Sequence, residues 1–265
     1  MSNSVGIVGV GAMGNALLKG LLAVLPPERL MIADAVPEKL QKAQDIYKVQ
    51  AAETTKIAAD CDVIFLAVKP QDMRPLLREM APFLHGCRLL VSVAAGITLA
   101  EIARHLPAQV GVIRVMPNTP CLIGEGVLAV SAGDNVAENE LQKVVSWLEK
   151  LGMVRVVPET VLDAITGLSG SGPAYVFLFI EALADGGVLA GLPRPLAQEL
   201  AVQTVLGAAK LARETGSHPA VLREMVTSPG GTTASGLFEL EKGALRSVVQ
   251  KAIKAACARA KELTE

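Results

Sequence analysis

The chain has 265 residues, with 25 Lys plus Arg against 26 Asp plus Glu and a formal net charge of −1. That balance argues against a protein built to grip a nucleic acid or an anionic membrane surface, and one Trp, two Tyr and five Phe leave little to stack on bases. At 51% hydrophobic and 19% charged, it can bury a large core but has little charge with which to solvate a surface, which points to Ala-rich helices or a large subunit interface.

Up to about residue 160, short β-branched runs alternate with amphipathic stretches. Strands are expected over Val5–Val10, Leu30–Asp34, Val63–Val68, Leu89–Ala94 and Val110–Val115. These runs are continuously apolar, as in strands covered on both faces of a parallel sheet. Val127–Ser131 and Val154–Val157 flank a helix-like Glu138–Leu151 and extend the same pattern. Beyond Pro158 the chain reads as helix, broken at Pro173, Gly191–Pro195, Ser217–Pro219, Ser228–Gly231 and Gly243. We therefore expect a doubly wound parallel α/β domain over residues 1–160 and an all-α domain over 161–265.

The segment Pro173–Ala190 is apolar around most of its circumference. A domain of roughly a hundred residues is too small to hide such a helix alone, so burial against a second copy of the chain is the natural completion. No uninterrupted apolar run approaches the roughly 20 residues of a membrane span. The longest, Pro173–Ile180, is cut by Glu181 and Asp185, and no membrane contact is expected. The first lysine is Lys19, so the start lacks a basic leader and a cytoplasmic protein is expected. Cys61, Cys87, Cys121 and Cys257 lie far apart without histidines at ligand spacing; they read as buried thiols, and no metal is expected. His85, His105 and His218 sit beside loop-like residues and read as surface groups. The stripe Val249, Ile253, Cys257 and Ala260 marks the inner face of a last helix, Ala244–Leu263, and its basic residues the solvated one.

Three places carry chemistry. Gly9-Val10-Gly11-Ala12-Met13-Gly14 is a GxGxxG after a strand-like run and before a helix-like Asn15–Leu25, with Asp34 twenty residues past Gly14. Glycines there let the backbone turn tightly and approach a pyrophosphate seated on a helix start, so a dinucleotide is expected. Asp34 can accept from an adenosine ribose diol and repels a 2′-phosphate, which leans towards NADH; the alternative is that it only caps the next helix. Second, Ala67-Val68-Lys69-Pro70 ends a strand where cofactors bind, with Pro70 as the strand's terminator. Lys69 there either reaches over the crevice or is a solvated loop lysine. Third, Thr227-Ser228-Pro229-Gly230-Gly231-Thr232-Thr233 precedes a helix-like Ala234–Leu240 and forms a nest for a carboxylate or phosphate, or else an interhelical turn.

Together with Val93-Ala94-Ala95-Gly96, Met116-Pro117-Asn118-Thr119-Pro120 and Gly167-Leu168-Ser169-Gly170-Ser171-Gly172-Pro173-Ala174-Tyr175, these blocks make the chain resemble the pyrroline-5-carboxylate reductase family. The stretch from Pro219 through Ser228–Thr233 to Glu239 carries the most specific part of the likeness. The resemblance implies a Rossmann domain followed by a helical dimerisation domain, a homodimer with higher assembly left open, and sites formed between subunits. It implies reduction of the cyclic imine 1-pyrroline-5-carboxylate to L-proline by NADPH or NADH. It further implies that Val8, Gly9, Val10, Gly11, Ala12, Met13 and Gly14, with Ala67, Val68, Lys69 and Pro70, touch the dinucleotide. Ala94, Ala95 and Gly96 would lie by the nicotinamide, Ser228, Gly230, Gly231 and Thr232 would hold the substrate, and Thr233 would hydrogen-bond the ring nitrogen. A bland reading makes Thr233 only the N-cap of the following helix.

The residues also fit an imine better than a carbonyl, because a protonated C=N accepts hydride without a strong general acid. Gly167–Gly172 is similar to the glycine pattern of β-hydroxyacid dehydrogenases, but Val176 stands where those enzymes carry a proton-donating lysine. Another imine reductase, or a dinucleotide sensor without turnover, are the remaining alternatives. The sensor predicts a degraded substrate site, against which the intact Ser228–Thr233 speaks.

Overall fold

The computed structural model describes residues 4–263. In chain order the elements are β1 (Val5–Val8), α1 (Ala12–Leu22), β2 (Leu30–Ala33), α2 (Pro37–Tyr47), β3 (Gln50–Ala51), α3 (Thr54–Asp60), β4 (Val63–Leu66) and α4 (Pro70–Met80). They continue with β5 (Leu89–Ser92), α5 (Leu99–Ala103), β6 (Gly111–Met116), β7 (Gly126–Ala132), α6 (Glu138–Leu148), β8 (Gly152–Val156) and α7 (Leu162–Ile165). The remainder is α8 (Gly172–Leu189), α9 (Arg194–Thr215), α10 (Pro219–Met225), α11 (Thr232–Lys242) and α12 (Leu245–Glu262). The chain falls into two compact units: one runs to Ser171 and takes back the residues from Ala255 onward, and the other is Gly172–Lys254.

The first unit is an eight-stranded sheet in the order β3-β2-β1-β4-β5-β6-β7-β8. Strands β1 to β6 run parallel, while β7 pairs antiparallel with β6 and parallel with β8. This is the expected doubly wound sheet, with the last two strands reversed. Apolar residues alternate between two cores. Ile7, Ile32, Phe65, Val91 and Ile113 pack on the α1 and α6 side, and Val8, Ile64, Leu66, Leu90 and Val112 pack on the α3 and α4 side. Both faces are thus covered, which is why the strands read as unbroken apolar runs. Cys61, Cys87 and Cys121 are buried as expected, and burial pushes the Cys61 and Cys87 thiols up to about 12. Cys257 is only partly buried, contrary to expectation, because its stretch of α12 is covered on one side alone.

The second unit has far less to hold it together. Its buried apolar cluster consists of Ala184, Ala197 and Ala201, where α8 and α9 pack through small side chains. The large apolar residues point outward: Phe177 is 62% exposed, Leu178 67% and Leu189 90%. A groove of about 930 Å³ between the two helices is lined by Phe177, Leu178, Val202, Glu181, Asp185 and Arg194. Asp185 pairs with Arg194 at its rim. The helical stretch Glu159–Leu189 is long and apolar enough to cross a membrane by length and composition, although no uninterrupted apolar run within it reaches that length. The difference arises because Glu181 and Asp185 interrupt the run without lowering the mean hydropathy of the helix enough to matter. Burying side chains the size of Phe177 and Leu178 is worth roughly 1.5–3 kcal/mol each, which this unit leaves unrealised within one copy.

Phe177→Glu places a charge in the middle of that apolar face. It is expected to give aggregate or inactive monomer; a soluble variant with unchanged mass by light scattering and full activity would show that no subunit covers the helix.

Candidate active site

The sheet order changes direction between β1 and β4, and the crevice outside the carboxyl ends of strands at such a point is where α/β sheets take ligands. The glycine loop lies there, and its three glycines do different work. Gly9 has φ +93°, and a Cβ on it would stand 2.6 Å from the Ala67 carbonyl oxygen. A Cβ on Gly14 would stand 1.9 Å from the Gly9 carbonyl oxygen, so α1 can start against the turn only without a side chain. Gly11 is different. Its φ of −67° suits any residue, and a Cβ there would meet nothing within 4 Å. Beyond it the N–H groups of Ala12, Met13 and Gly14 have no partner among the described residues, and no acid lies in the first turn. The cradle fits a dinucleotide pyrophosphate, which would sit on these N–H groups in the space Gly11 leaves clear.

Asp34 follows β2 and holds this loop in place. Its Oδ2 accepts from the Val10 N–H at 2.7 Å and its Oδ1 from the Val36 N–H at 2.9 Å. Neither half of the expectation for Asp34 describes this geometry in full. The carboxylate is not an idle acceptor awaiting a ribose, since each oxygen already takes a backbone N–H, leaving lone pairs for further bonds. Nor is it the cap of α2, whose N-cap position is Val36. On the neighbouring strand, β4 stops at Leu66, and Ala67 through Lys69 form the turn. Pro70 does not end the strand; it is the first residue of α4, where a missing N–H costs nothing. Lys69 is the exposed N-cap residue of α4 and has no ion-pair partner among the described residues.

The turn after β5 is held at several points. Ser92 Oγ accepts from the Ala94 N–H at 3.3 Å, and Thr98 Oγ1 caps α5 by accepting from the Glu101 N–H at 3.1 Å. Ala94 and Gly96 are buried and Ala95 half-buried. Gly96 has φ +74°, and a Cβ on it would come within 2.8 Å of the Leu263 carbonyl oxygen. Asn118, 8% exposed, donates to the Ser169 carbonyl at 3.0 Å and accepts from the Val127 N–H at 2.9 Å. It thereby ties β7 to a single π-helical turn, Thr166–Gly170, that the glycine pattern did not announce. A second surprise is Arg114, 3% exposed in the middle of β6, whose guanidinium meets Glu159 at 2.9 Å. The only trace of it in the sequence is one arginine in the apolar run of Val112–Val115.

In the second unit, Ser228-Pro229-Gly230-Gly231 is a β-turn, with Pro at its second position and Gly230 at φ +68°. The Gly231 N–H closes it on the Ser228 carbonyl at 3.1 Å, so it cannot also serve the nest, as the pattern suggested. Gly231 is the N-cap of α11 and offers no side chain, which makes Thr233 the second helical residue and not the cap. The N–H groups of Thr232, Thr233 and Ala234 and the half-buried Thr233 hydroxyl have no partner among the described residues. Among the described residues no group of three or more His, Cys, Asp or Glu could hold a metal ion.

Residues 159–263 match the family described as pyrroline-5-carboxylate reductase dimerisation. Residues 4–96 match one described as NADP oxidoreductase, coenzyme F420-dependent. A pyrroline-5-carboxylate reductase from Synechocystis is 44% identical over 99% of both chains. The chain belongs to the pyrroline-5-carboxylate reductase family. A solved reductase of this family from Coxiella burnetii is 34% identical and superposes over 100% of both chains with a TM-score of 0.92. The structure of pyrroline carboxylate reductase from Plasmodium falciparum, solved with NADP bound, is 32% identical with a TM-score of 0.88 over 100% of both chains.

The differing demands on Gly11 and Gly14 can be separated. Gly11→Ala should melt as the parent chain does, within about 0.5 kcal/mol, yet bind NADPH or NADH at least tenfold more weakly in a fluorescence titration. Gly14→Ala should lose about 1–3 kcal/mol of stability as its methyl forces the turn apart. Parent-like dinucleotide affinity in Gly11→Ala would show that the open space serves no ligand.

Proposed function

We propose that this protein reduces the cyclic imine of 1-pyrroline-5-carboxylate to L-proline with NADPH or NADH, the last step of proline synthesis. The reading is carried by one pairing within a single chain. A glycine loop opens onto clear space at Gly11, and a second helix start, α11, has unpartnered N–H groups beside the unpartnered hydroxyl of Thr233. The first suits a nicotinamide dinucleotide and the second a small carboxylate. Full-length likeness to curated reductases at 44% identity supports the same substrate.

When bound, the reduced nicotinamide supplies a hydride to the carbon of the C=N bond. The chain's own part is positioning. Thr232, Thr233 and Ala234 hold the substrate carboxylate through their N–H groups, and the Thr233 hydroxyl hydrogen-bonds the ring nitrogen. Ser228 contributes a hydroxyl at the rim and Gly230 the turn that aims it. An imine protonated at nitrogen is already electrophilic, so no strong acid is needed, and none stands between Thr227 and Ala234. Val8 through Gly14, Asp34 and Ala67 through Pro70 hold the dinucleotide, with Ala94, Ala95 and Gly96 beside its nicotinamide. The helices from residue 161 onward are the dimerisation domain, and α8 finds its core in a second subunit, with larger assemblies of dimers open to this geometry. Three buried, unpaired cysteines suit a cytoplasmic enzyme.

Thr233→Ala should lower kcat on the order of 10- to 1,000-fold while KM for the imine moves less, because the N–H groups remain. Thr233→Ser should recover much of the rate and Thr233→Val should not. A single-turnover hydride-transfer rate equal to the parent's would remove Thr233 from the chemistry. Asp34→Ser should raise the kcat/KM ratio of NADPH over NADH by about tenfold, near 1.4 kcal/mol. Both dinucleotide KM values should also rise, since the same carboxylate holds Val10. An unchanged ratio would leave Asp34 with the loop-holding role alone.

A further inference from the structure

We propose that Glu159, fixed by Arg114, is a positioning residue for the turn between Ser92 and Leu99, and that it sets where Ala94, Ala95 and Gly96 stand beside the nicotinamide. The proposal rests on the assignment of that turn to the dinucleotide site. Its basis is a single oxygen. Glu159 Oε1 accepts from the Leu99 N–H at 2.8 Å and from Arg114 at 2.9 Å. Leu99 is the first residue of α5 and closes the turn that Ser92 opens, so the bond fixes the far end of the segment whose near end Ser92 holds.

Arg114 has a reason to be where it is. Strand register aligns it with Ser92 on β5 and with Ser131 on β7, so the three side chains form a polar row on the α4 face of the sheet. Ser131 Oγ donates to the Val157 carbonyl at 2.7 Å, two residues before Glu159. The row therefore holds both the turn after β5 and the segment after β8. A charge as deeply buried as that of Arg114 needs a partner, and it confines Glu159 to one position; the carboxylate, 28% exposed, then presents the same oxygen to Leu99. A plain apolar contact would stabilise the two segments as well, but would not fix the turn's end to hydrogen-bond tolerance. A dinucleotide ring needs that tolerance, since a displacement of about 1 Å can cost about a hundredfold in rate.

Two double variants separate positioning from stability. Arg114→Met with Glu159→Gln removes both charges and keeps an acceptor for Leu99. Arg114→Met with Glu159→Leu removes the charges and the acceptor. The Gln pair, which keeps the acceptor but loses the grip of Arg114, should bind NADPH or NADH, followed by nicotinamide fluorescence without imine, about threefold more weakly than the parent. The Leu pair should bind about tenfold more weakly, with faster amide exchange at Leu99 and kcat down on the order of 10- to 100-fold. Should the Leu pair not fold, Leu99→Pro deletes the same N–H. Proline is tolerated at a first helical position, and Thr98 at φ −77° and ψ 159° suits a residue before proline. It should weaken dinucleotide binding with the ion pair intact. Equal dinucleotide affinity and equal exchange in the two double variants, or parent-like affinity in Leu99→Pro, would overturn the proposal. If the parent chain fails to reduce the imine, the substrate reading falls, but the affinity and exchange comparison still decides this one.

Discussion

The first unit depends on how closely two pieces of backbone can approach. The Gly9 carbonyl stands against Gly14, in the first turn of α1, where a single methyl group would not fit. Because they can touch, α1 begins directly over the end of β1 and its N–H groups face the crevice. Asp34 locks this arrangement from the next strand by holding Val10, and the Ala67 carbonyl limits it from the other side. A site for an anion therefore exists before any ligand arrives, made of backbone and needing no positive side chain. That is how a chain with a net charge of −1 can still present an anion site.

The second unit is organised by an absence of core. Three alanines hold α8 to α9, and small residues let the helices approach but bury little area. The bulky residues of α8 are left for another surface. The family match over residues 159–263, described as a dimerisation region, names the kind of surface. The turn at Ser228–Gly231 is likewise built from local hydrogen bonds and a helix start, and Ser228, Pro229 and Gly230 are exposed. Its geometry is set by proline and glycine preferences, which act without a core.

Sequence pattern carried the sheet well because its strands are covered on both faces, so Val63–Leu66 or Leu89–Ser92 could be read as uninterrupted apolar runs. It missed β3, whose two residues Gln50 and Ala51 are too short to show a period. The glycine loop was legible because Gly9 and Gly14 answer local demands of the backbone. What escaped was pairing over distance. Nothing near Arg114 in sequence announces Glu159 forty-five positions on. The two oxygens of Asp34 look free until the fold brings Val10 to one of them. Periodicity reports which face of an element is buried, but which polar group meets which is decided only when elements from distant parts of the chain pack together.

The exposed face of α8 also bears on how the molecule comes to be folded. The sheet unit has two cores of its own and can form within one chain, at a rate independent of how much protein is present. The helical unit has nothing comparable to collapse around. Its completion waits for an encounter, so the late phase of refolding should quicken with protein concentration while the early phase does not. Until α8 is covered, its exposed apolar face is the kind of surface through which incompletely folded chains stick to their neighbours.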